Sequence, residues 1–387
     1  MRTSVLFVFG LVVAVIVALG LVVLSSAGAA NGERLYGDAY FFMKRQFAYL
    51  AIGLVVVVLT AAFDYHKWRD FPAMTWVAYA LVLVLLCAVF AFKATKGSQR
   101  WIDLRVFRLQ PSELAKLMTV IAVGVWMDRA AWRVELFKRG TLVPMVLMGA
   151  LAGLVMKEPD FGSTMVIGLV GMLVMFVAGA RFLHMLPFFA AGMVVVGYKV
   201  LSNANRMARI AAWIGVKVEV AADVTDKAAQ AAMWQGQMAL AAIGNGGVLG
   251  RGLNQSMQKH LYLPEAHTDM IFAIGAEEFG LPFSMATIAL FLAFFALSVY
   301  IAMKASDRFG RLLVVGMAFI LFFQAMFNIG VVCEALPMKG MALPFFSYGG
   351  TNMLSAFFAV GTILSVGIHS CREKKRAFVR KVVMRAS

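Results

Sequence analysis

Apolar residues along this chain fall in long blocks separated by short polar stretches. A helix needs about 20 predominantly apolar residues to cross a bilayer. Ten blocks meet or approach that length: Ser4–Leu24, Phe47–Phe63, Met74–Phe92, Ser112–Met127, Leu142–Met156, Ser163–Gly179, Phe182–Leu201, Leu281–Met303, Leu312–Val332 and Thr351–His369. None alternates like a barrel strand, and backbone in lipid must satisfy its own hydrogen bonds, so the blocks read as helices. The pattern predicts an all-α integral membrane protein of about ten transmembrane helices. One long extracytoplasmic loop, about residues 199–270, lies between helices 7 and 8. We expect one polytopic membrane domain over residues 1–370 and a basic cytoplasmic tail over 371–387.

The first block runs into Ser25-Ser26-Ala27-Gly28-Ala29-Ala30, which looks like a signal-peptidase site. Its apolar stretch is longer than the ~7–15 residues of a signal core, so it reads as an uncleaved anchor.

Composition excludes a soluble enzyme with a conventional core. The 387 residues are 62% hydrophobic and 14% charged, with a mean hydropathy of +0.82; a soluble domain carries about a quarter charged residues. The net charge of +16 would suggest a nucleic-acid partner in a soluble chain. Its distribution argues otherwise. With the N-terminus in the cytoplasm, the inner segments hold 18 Lys/Arg against six Asp/Glu, and the outer segments 18 against 14. Seven of the outer Lys/Arg lie in the loop 199–270, longer than the ~60 residues over which loop charge counts, which leaves eleven outside against 18 inside, so both termini read as cytoplasmic. The tail, with seven Lys/Arg after Cys371, reads as an anchor on acidic membrane lipid. No nucleic acid is expected. Cys87, Cys333 and Cys371 form no paired spacing, so neither a disulfide framework nor a zinc site is expected.

Candidate chemistry collects on the predicted outer side. The long loop ends in Gly244-Asn245-Gly246-Gly247-Val248-Leu249-Gly250-Arg251-Gly252, followed by Lys259 and the run Tyr262–Phe272. The glycine run lacks the Lys-Ser/Thr ending of a phosphate loop. Its free N–H groups, with Arg251 and Lys259, could still hold an anion. A helix is predicted from Pro264 to Gly280, placing Glu265 and Asp269 four apart on one face. Asp269, at the head of an apolar segment, is a candidate general base or an ion-paired cap. Gln110-Pro111-Ser112-Glu113 opens the fourth helix, and Lys116 can pair with Glu113. Glu158-Pro159-Asp160 ends the fifth, and Pro337–Gly350 precedes the tenth. Each cluster alone is an ordinary helix terminus. Their shared side points to one polar site. His66, His184 and His369 fall near inner ends, and His260 and His267 are seven apart, so metal binding is not expected.

These same residues carry a family resemblance. Tyr262-Leu-Pro-Glu-Ala-His-Thr-Asp-Met-Ile-Phe272, Glu277-Glu278-Phe-Gly280 and Leu343-Pro-Phe-Phe-Ser-Tyr-Gly-Gly350 resemble signatures of the SEDS family of bacterial cell-shape, division and sporulation proteins (FtsW, RodA, SpoVE). Arg100-Trp101-Ile, Gln110–Lys116 and Glu158-Pro-Asp-Phe-Gly162 match further blocks in order; Arg45-Gln46 and Trp234-Gln235 match more weakly. The resemblance spans about residues 35–370. Tyr262–His267 and Pro337-Met-Lys-Gly340 look more like FtsW than RodA. Met270, Trp234 and Thr351-Asn352 depart from the common pattern.

The resemblance implies a peptidoglycan glycosyltransferase of the bacterial cytoplasmic (inner) membrane. It would polymerise lipid II on the extracytoplasmic side, releasing undecaprenyl diphosphate, in septal wall synthesis. Asp269 matches the family's catalytic Asp. By charge, Arg45, Arg100, Lys116, Arg251 and Lys259 are candidates to bind the diphosphate. Glu113, Asp160, Gln235, Glu265, His267, Lys339, Ser347 and Tyr348 would shape or support the cavity. No cofactor is required outright, although a divalent cation (Mg or Mn) could assist. The implied partner is a class B penicillin-binding protein, with other divisome proteins around it. Alternatives are a lipid II flippase, a non-catalytic scaffold for that partner, and a RodA-like elongation polymerase.

Overall fold

The computed structural model describes residues 3–92, 100–103, 108–202, 207, 210, 213, 222–259, 263, 266–337 and 339–386; for 222–229, 232 and 376–386 only the backbone is described. The architecture is an all-α bundle. Its long helices are α1 (Thr3–Ala27), α3 (Phe41–Ala62), α5 (Pro72–Ala88), α6 (Pro111–Arg129), α7 (Val143–Lys157), α8 (Phe161–Val177), α9 (Phe182–Leu201), α10 (Ala222–Gly246), α11 (Ile271–Lys304), α12 (Arg308–Val332) and α13 (Gly350–Ala386). Short helices α2 (Ala29–Tyr36) and α4 (His66–Asp70) and a two-stranded hairpin, β1 (Ile102–Asp103) and β2 (Arg108–Leu109), fill connections.

Each predicted block falls on one of these helices, most with ends within about six residues; α11 starts ten residues before its block and α13 runs 17 residues past its own. Among the described residues, eight helices are long and apolar enough to cross a membrane. The other two blocks are α6, 19 residues that include Glu113, Lys116, Asp128 and Arg129, and the 17-residue α8. Both lie deep in the bundle, with α6 buried along most of its length. α9 is the opposite, exposing nearly all of an apolar surface that suits lipid.

Within the long loop, α10 packs along α11. One feature differs from expectation: the helix predicted from Pro264 begins only at Ile271, after a turn over residues 266–270. Asp269 therefore sits in a turn and not on a helical face; Pro264 and Glu265, like His260 and Tyr262, lie outside the described residues.

α11 is itself broken. Gly280 sits at φ 68°, ψ −155°, a backbone that L side chains avoid, so a short buried helix (271–279) meets the spanning part at a kink. A break leaves carbonyls without helical donors. The glycine run supplies two: the Arg251 N–H donates to Glu277 O (3.0 Å) and the Gly252 N–H to Glu278 O (2.9 Å), while Gly247 O accepts from the Leu281 N–H (3.1 Å). A Cβ on Gly280 would stand 2.4 Å from the Gly250 nitrogen. The expected anion-holding backbone is thus committed to splicing a broken helix, because irregular backbone in a membrane protein must be satisfied by protein.

The two predicted sets of loops segregate to opposite ends of the bundle. At one end, Tyr65 donates to Asp307 (2.5 Å), Arg69 pairs with Asp307 (3.3 Å), and Arg181 pairs with Glu135 (2.7 Å). His66 meets Asp64 at 2.7 Å there, and Lys374 donates to Lys304 O. All belong to loops read as inner. The loops read as outer meet at the opposite end.

Candidate functional site

Asp269 ends the turn just before α11 and is partly exposed amid buried neighbours. Its carbonyl accepts from Asn328 of α12 (2.7 Å), and the same Asn328 amide donates to Met341 O (2.7 Å). One side chain thereby ties the Asp269 turn to the segment before α13. Ser347 adds a second tie: its hydroxyl donates to Thr268 O (2.7 Å) and accepts from the Leu343 N–H (2.7 Å). The Tyr348 N–H completes a third, to His267 O (3.0 Å). Gly340 lies so close that a Cβ there would fall 2.1 Å from Asp269 Oδ2.

An aromatic wall flanks this turn. The His267 ring packs 4.3 Å from Phe42 of α3 and 6.1 Å from Tyr348, and its Nδ1 is 3.4 Å from Asn31 Nδ2. Burial raises the Tyr348 phenol, with Tyr49 adding to it, although Arg45 pulls the other way. Arg45 is exposed and stacks over Phe41 at 4.4 Å.

A second cluster surrounds Asp160. Pro159 stops α7, and Asp160 caps α8 by accepting from the Ser163 N–H (3.3 Å) and hydroxyl (2.8 Å). Gln110 (3.3 Å) and Ser112 (3.4 Å) also donate to it. Burial alone would raise its pKa; Lys339, Arg100 and Ser163 together hold it below the ordinary carboxylate range. Its neighbour Glu158 is fully buried, and neither carboxyl oxygen has a hydrogen-bond partner among the described residues. Burial, then the Asp160 charge, push Glu158 up to about 8, against the opposing pull of Arg100. Lys339 stands 5.2 Å over the Phe161 ring.

The five predicted diphosphate-binding cations separate in this geometry. Arg45 and Arg251 are exposed. Arg100 is partly buried and clamps the α7–α8 turn, donating to Glu158 O (3.1 Å) and Pro159 O (2.5 Å). Lys116 is buried, 2.7 Å from Glu113, which also accepts from Ser355 (3.0 Å). Lys259 is buried against Glu278 at 3.2 Å. Each of these two ammonium groups is enclosed and already ion-paired, in contrast to the exposed Arg45 and Arg251. Gln235 is partly exposed on α10, next to Gly236, whose backbone abuts the Glu334 carboxylate. Among the described residues no cluster of three or more His, Cys, Asp or Glu could hold a metal ion.

Several residues received no individual role from sequence: Asn328, Ser26 and Ser256, together with Gly340 and Glu158, which were read only as parts of longer motifs. Asn328 carries a usable signal, since a carboxamide in the apolar block Leu312–Val332 needs a partner or a task. The others are ordinary residues until their neighbours are known.

The chain resembles known proteins along nearly its whole length. A family profile described as cell cycle protein, FtsW/RodA/SpoVE, matches residues 6–372. The probable peptidoglycan glycosyltransferase FtsW of Geobacter metallireducens is 36% identical over 353 residues, 90% of each chain. The protein of the same name from Escherichia coli O6:H1 is 32% identical, covering 98% of this chain and 88% of that one. Among solved structures, a chain of a peptidoglycan synthase complex superposes with a TM-score of 0.74 at 24% identity, covering 94% of this chain and 98% of that one. The rod shape determining protein RodA of Thermus thermophilus superposes with 0.65 at 25% identity, covering 93% and 95%. With the profile spanning almost every residue and the fold shared, this chain belongs to the FtsW/RodA/SpoVE family of cell cycle proteins.

Proposed function

We propose that the chain is an inverting peptidoglycan glycosyltransferase that polymerises lipid II. The observation that carries this reading is the seat of Asp269. It is a carboxylate whose own carbonyl is held by Asn328 and whose preceding residue, Thr268, is held by Ser347, beside Gly340 and the His267–Tyr348 wall. A general base needs such fixed placement, within hydrogen-bond reach of the hydroxyl it deprotonates. Asp269 takes the proton of the acceptor 4-hydroxyl as that oxygen attacks the donor MurNAc C1. The bond to the undecaprenyl diphosphate breaks on the opposite face, and the anomeric centre inverts. Of the five predicted cations, Arg45 and Arg251 are the two fully exposed, and their guanidinium groups are placed to meet the departing diphosphate. Lys339 and Arg100 act through Asp160, keeping the α7–α8 turn charged and closed.

The transporter alternative is less favoured. A transporter would hold cargo with groups at a broken helix. Such a break exists at Gly280, but the carboxylates beside it, Glu277 and Glu278, are engaged by Ser26, Ser256, Met257, Gln258 and Lys259 of this chain.

We place the site on the extracytoplasmic face of the cytoplasmic membrane, with both termini inside. A class B penicillin-binding protein is the proposed partner, and septal synthesis the proposed setting, supported by relatives named FtsW. The test is glycan-strand formation from lipid II by the purified protein, with and without the partner, against Asp269→Ala. Equal strand production by the two would remove Asp269 from catalysis.

A further inference from the structure

The short buried half of α11 ends in two adjacent carboxylates, Glu277 and Glu278, 0% and 1% exposed. Burying two carboxylates is costly unless both are supplied with donors. The loop between the glycine run and Lys259 supplies them. Glu277 accepts from the N–H groups of Met257 (3.2 Å) and Gln258 (3.3 Å) and from the Ser256 hydroxyl. Glu278 accepts from the Ser256 N–H (3.4 Å), from the Ser26 hydroxyl at the end of α1, and from Lys259.

Lys259 closes the knot. An ammonium has three N–H donors and no acceptor. Here they meet Ser26 Oγ (2.8 Å), Asn254 Oδ1 (2.5 Å) and Glu278 Oε1 (3.2 Å). Asn254 holds a left-handed backbone at φ 65°, a conformation that asparagine tolerates better than most residues. All three donors are used, and the side chain is 2% exposed. Nothing remains with which to bind a diphosphate.

The knot also borders the catalytic turn. The Leu263 N–H donates to Gln258 O (3.0 Å), one residue before Lys259. Leu263 and Ala266 are buried, and the chain then reaches Thr268 and Asp269, tied down by Ser347 and Asn328. Asp269 therefore lies between two anchors: the Asn328–Ser347 ties on one side and the Lys259–Glu278 knot on the other.

We propose that Lys259 is a positioning residue for Asp269. Its ion pair with Glu278 locks the end of α1, the 254–259 loop and the short half of α11 together, and so fixes where the segment leading to Asp269 begins. The cation is structural in placement and kinetic in consequence. This inference rests on the polymerase reading above, in which Asp269 is the base.

The experiment measures initial rates of lipid II polymerisation across substrate concentration, with the full chain in lipid nanodiscs. It compares wild type, Lys259→Met, Glu278→Gln and the double variant. Lys259→Met strands a buried carboxylate and should lower kcat about 100-fold with KM changed less than about threefold, as a base displaced by roughly 1 Å would. Adding Glu278→Gln removes the stranded charge and should recover kcat at least tenfold. A diphosphate ligand would behave oppositely: Lys259→Met would raise KM, and Glu278→Gln would rescue nothing. That pattern overturns the proposal, as does wild-type kcat in Lys259→Met. Should Lys259→Met fail to fold, the double variant decides. It carries no stranded charge, so a folded double with the raised KM of a lost ligand overturns the proposal, and near-wild-type KM supports it. Failure of the polymerase reading is distinguishable, because wild type itself would then form no strands.

Discussion

Gly340→Ala is a substitution whose cost should appear in activity and hardly in stability. Gly340 is exposed and is not among the residues with positive φ, so the backbone accepts alanine and no core is disturbed. Surface changes of this kind stay within about 0.5 kcal/mol. The new Cβ, however, would stand 2.1 Å from Asp269 Oδ2, where ordinary van der Waals contact begins near 3.4 Å. The Asp269 main chain is held by Asn328, so relief must come from its side chain or from the 339–341 segment. Either way the carboxylate and its surroundings separate by roughly 1.3 Å, the difference between those two distances. A displacement of about 1 Å at a reacting group costs on the order of 100-fold in rate. The assay pairs steady-state strand formation from lipid II with thermal unfolding in the same detergent. We expect kcat to fall by about two orders of magnitude and the melting temperature to stay within about 2 °C. Wild-type kcat in Gly340→Ala would refute the reasoning, since it would mean that the position of Asp269 does not matter.

Three other outcomes follow from the same geometry. Because burial and Asp160 raise Glu158 to about 8 from an ordinary 4.5, its contribution to stability is complete below pH 4.5 and is lost as pH rises through 8. Glu158→Gln, neutral throughout, should match wild type near pH 4.5 and exceed it above pH 8 by ~2–5 kcal/mol, read as melting temperature against pH; parallel curves would contradict this. Lys116→Met leaves Glu113 buried and unpaired and should destabilise by about 3–5 kcal/mol, while Glu113→Gln with Lys116→Met should be much closer to wild type by thermal unfolding. A reporter fused after Ser387 should read cytoplasmic, and a periplasmic signal would invert the proposed orientation.

The bilayer makes much of this fold legible from sequence. Every span must be apolar and helical, so the ten blocks are visible without knowledge of their neighbours. The segregation of the loops to two ends follows from the same constraint, because each crossing reverses the chain. Asp160 capping α8 after Pro159, and Lys116 pairing with Glu113, are local events that spacing encodes. Asp269 was visible as an ionisable group at the edge of apolar sequence.

What sequence spacing could not decide is which polar groups spend their hydrogen bonds on one another. The glycine run looked free to hold an anion until Gly280 was found to break α11 and claim its N–H groups. Lys259 and Lys116 looked like cations for a substrate, and the fold encloses both against Glu278 and Glu113. The partners of Lys259 lie on α1, on its own loop and on α11, as far as 233 residues away. The length of an apolar block is a property of neighbours along the chain, and it marked the helices. The satisfaction of a buried charge is a property of neighbours in space, and only the packed bundle determines which cations remain exposed and where Asp269 is held.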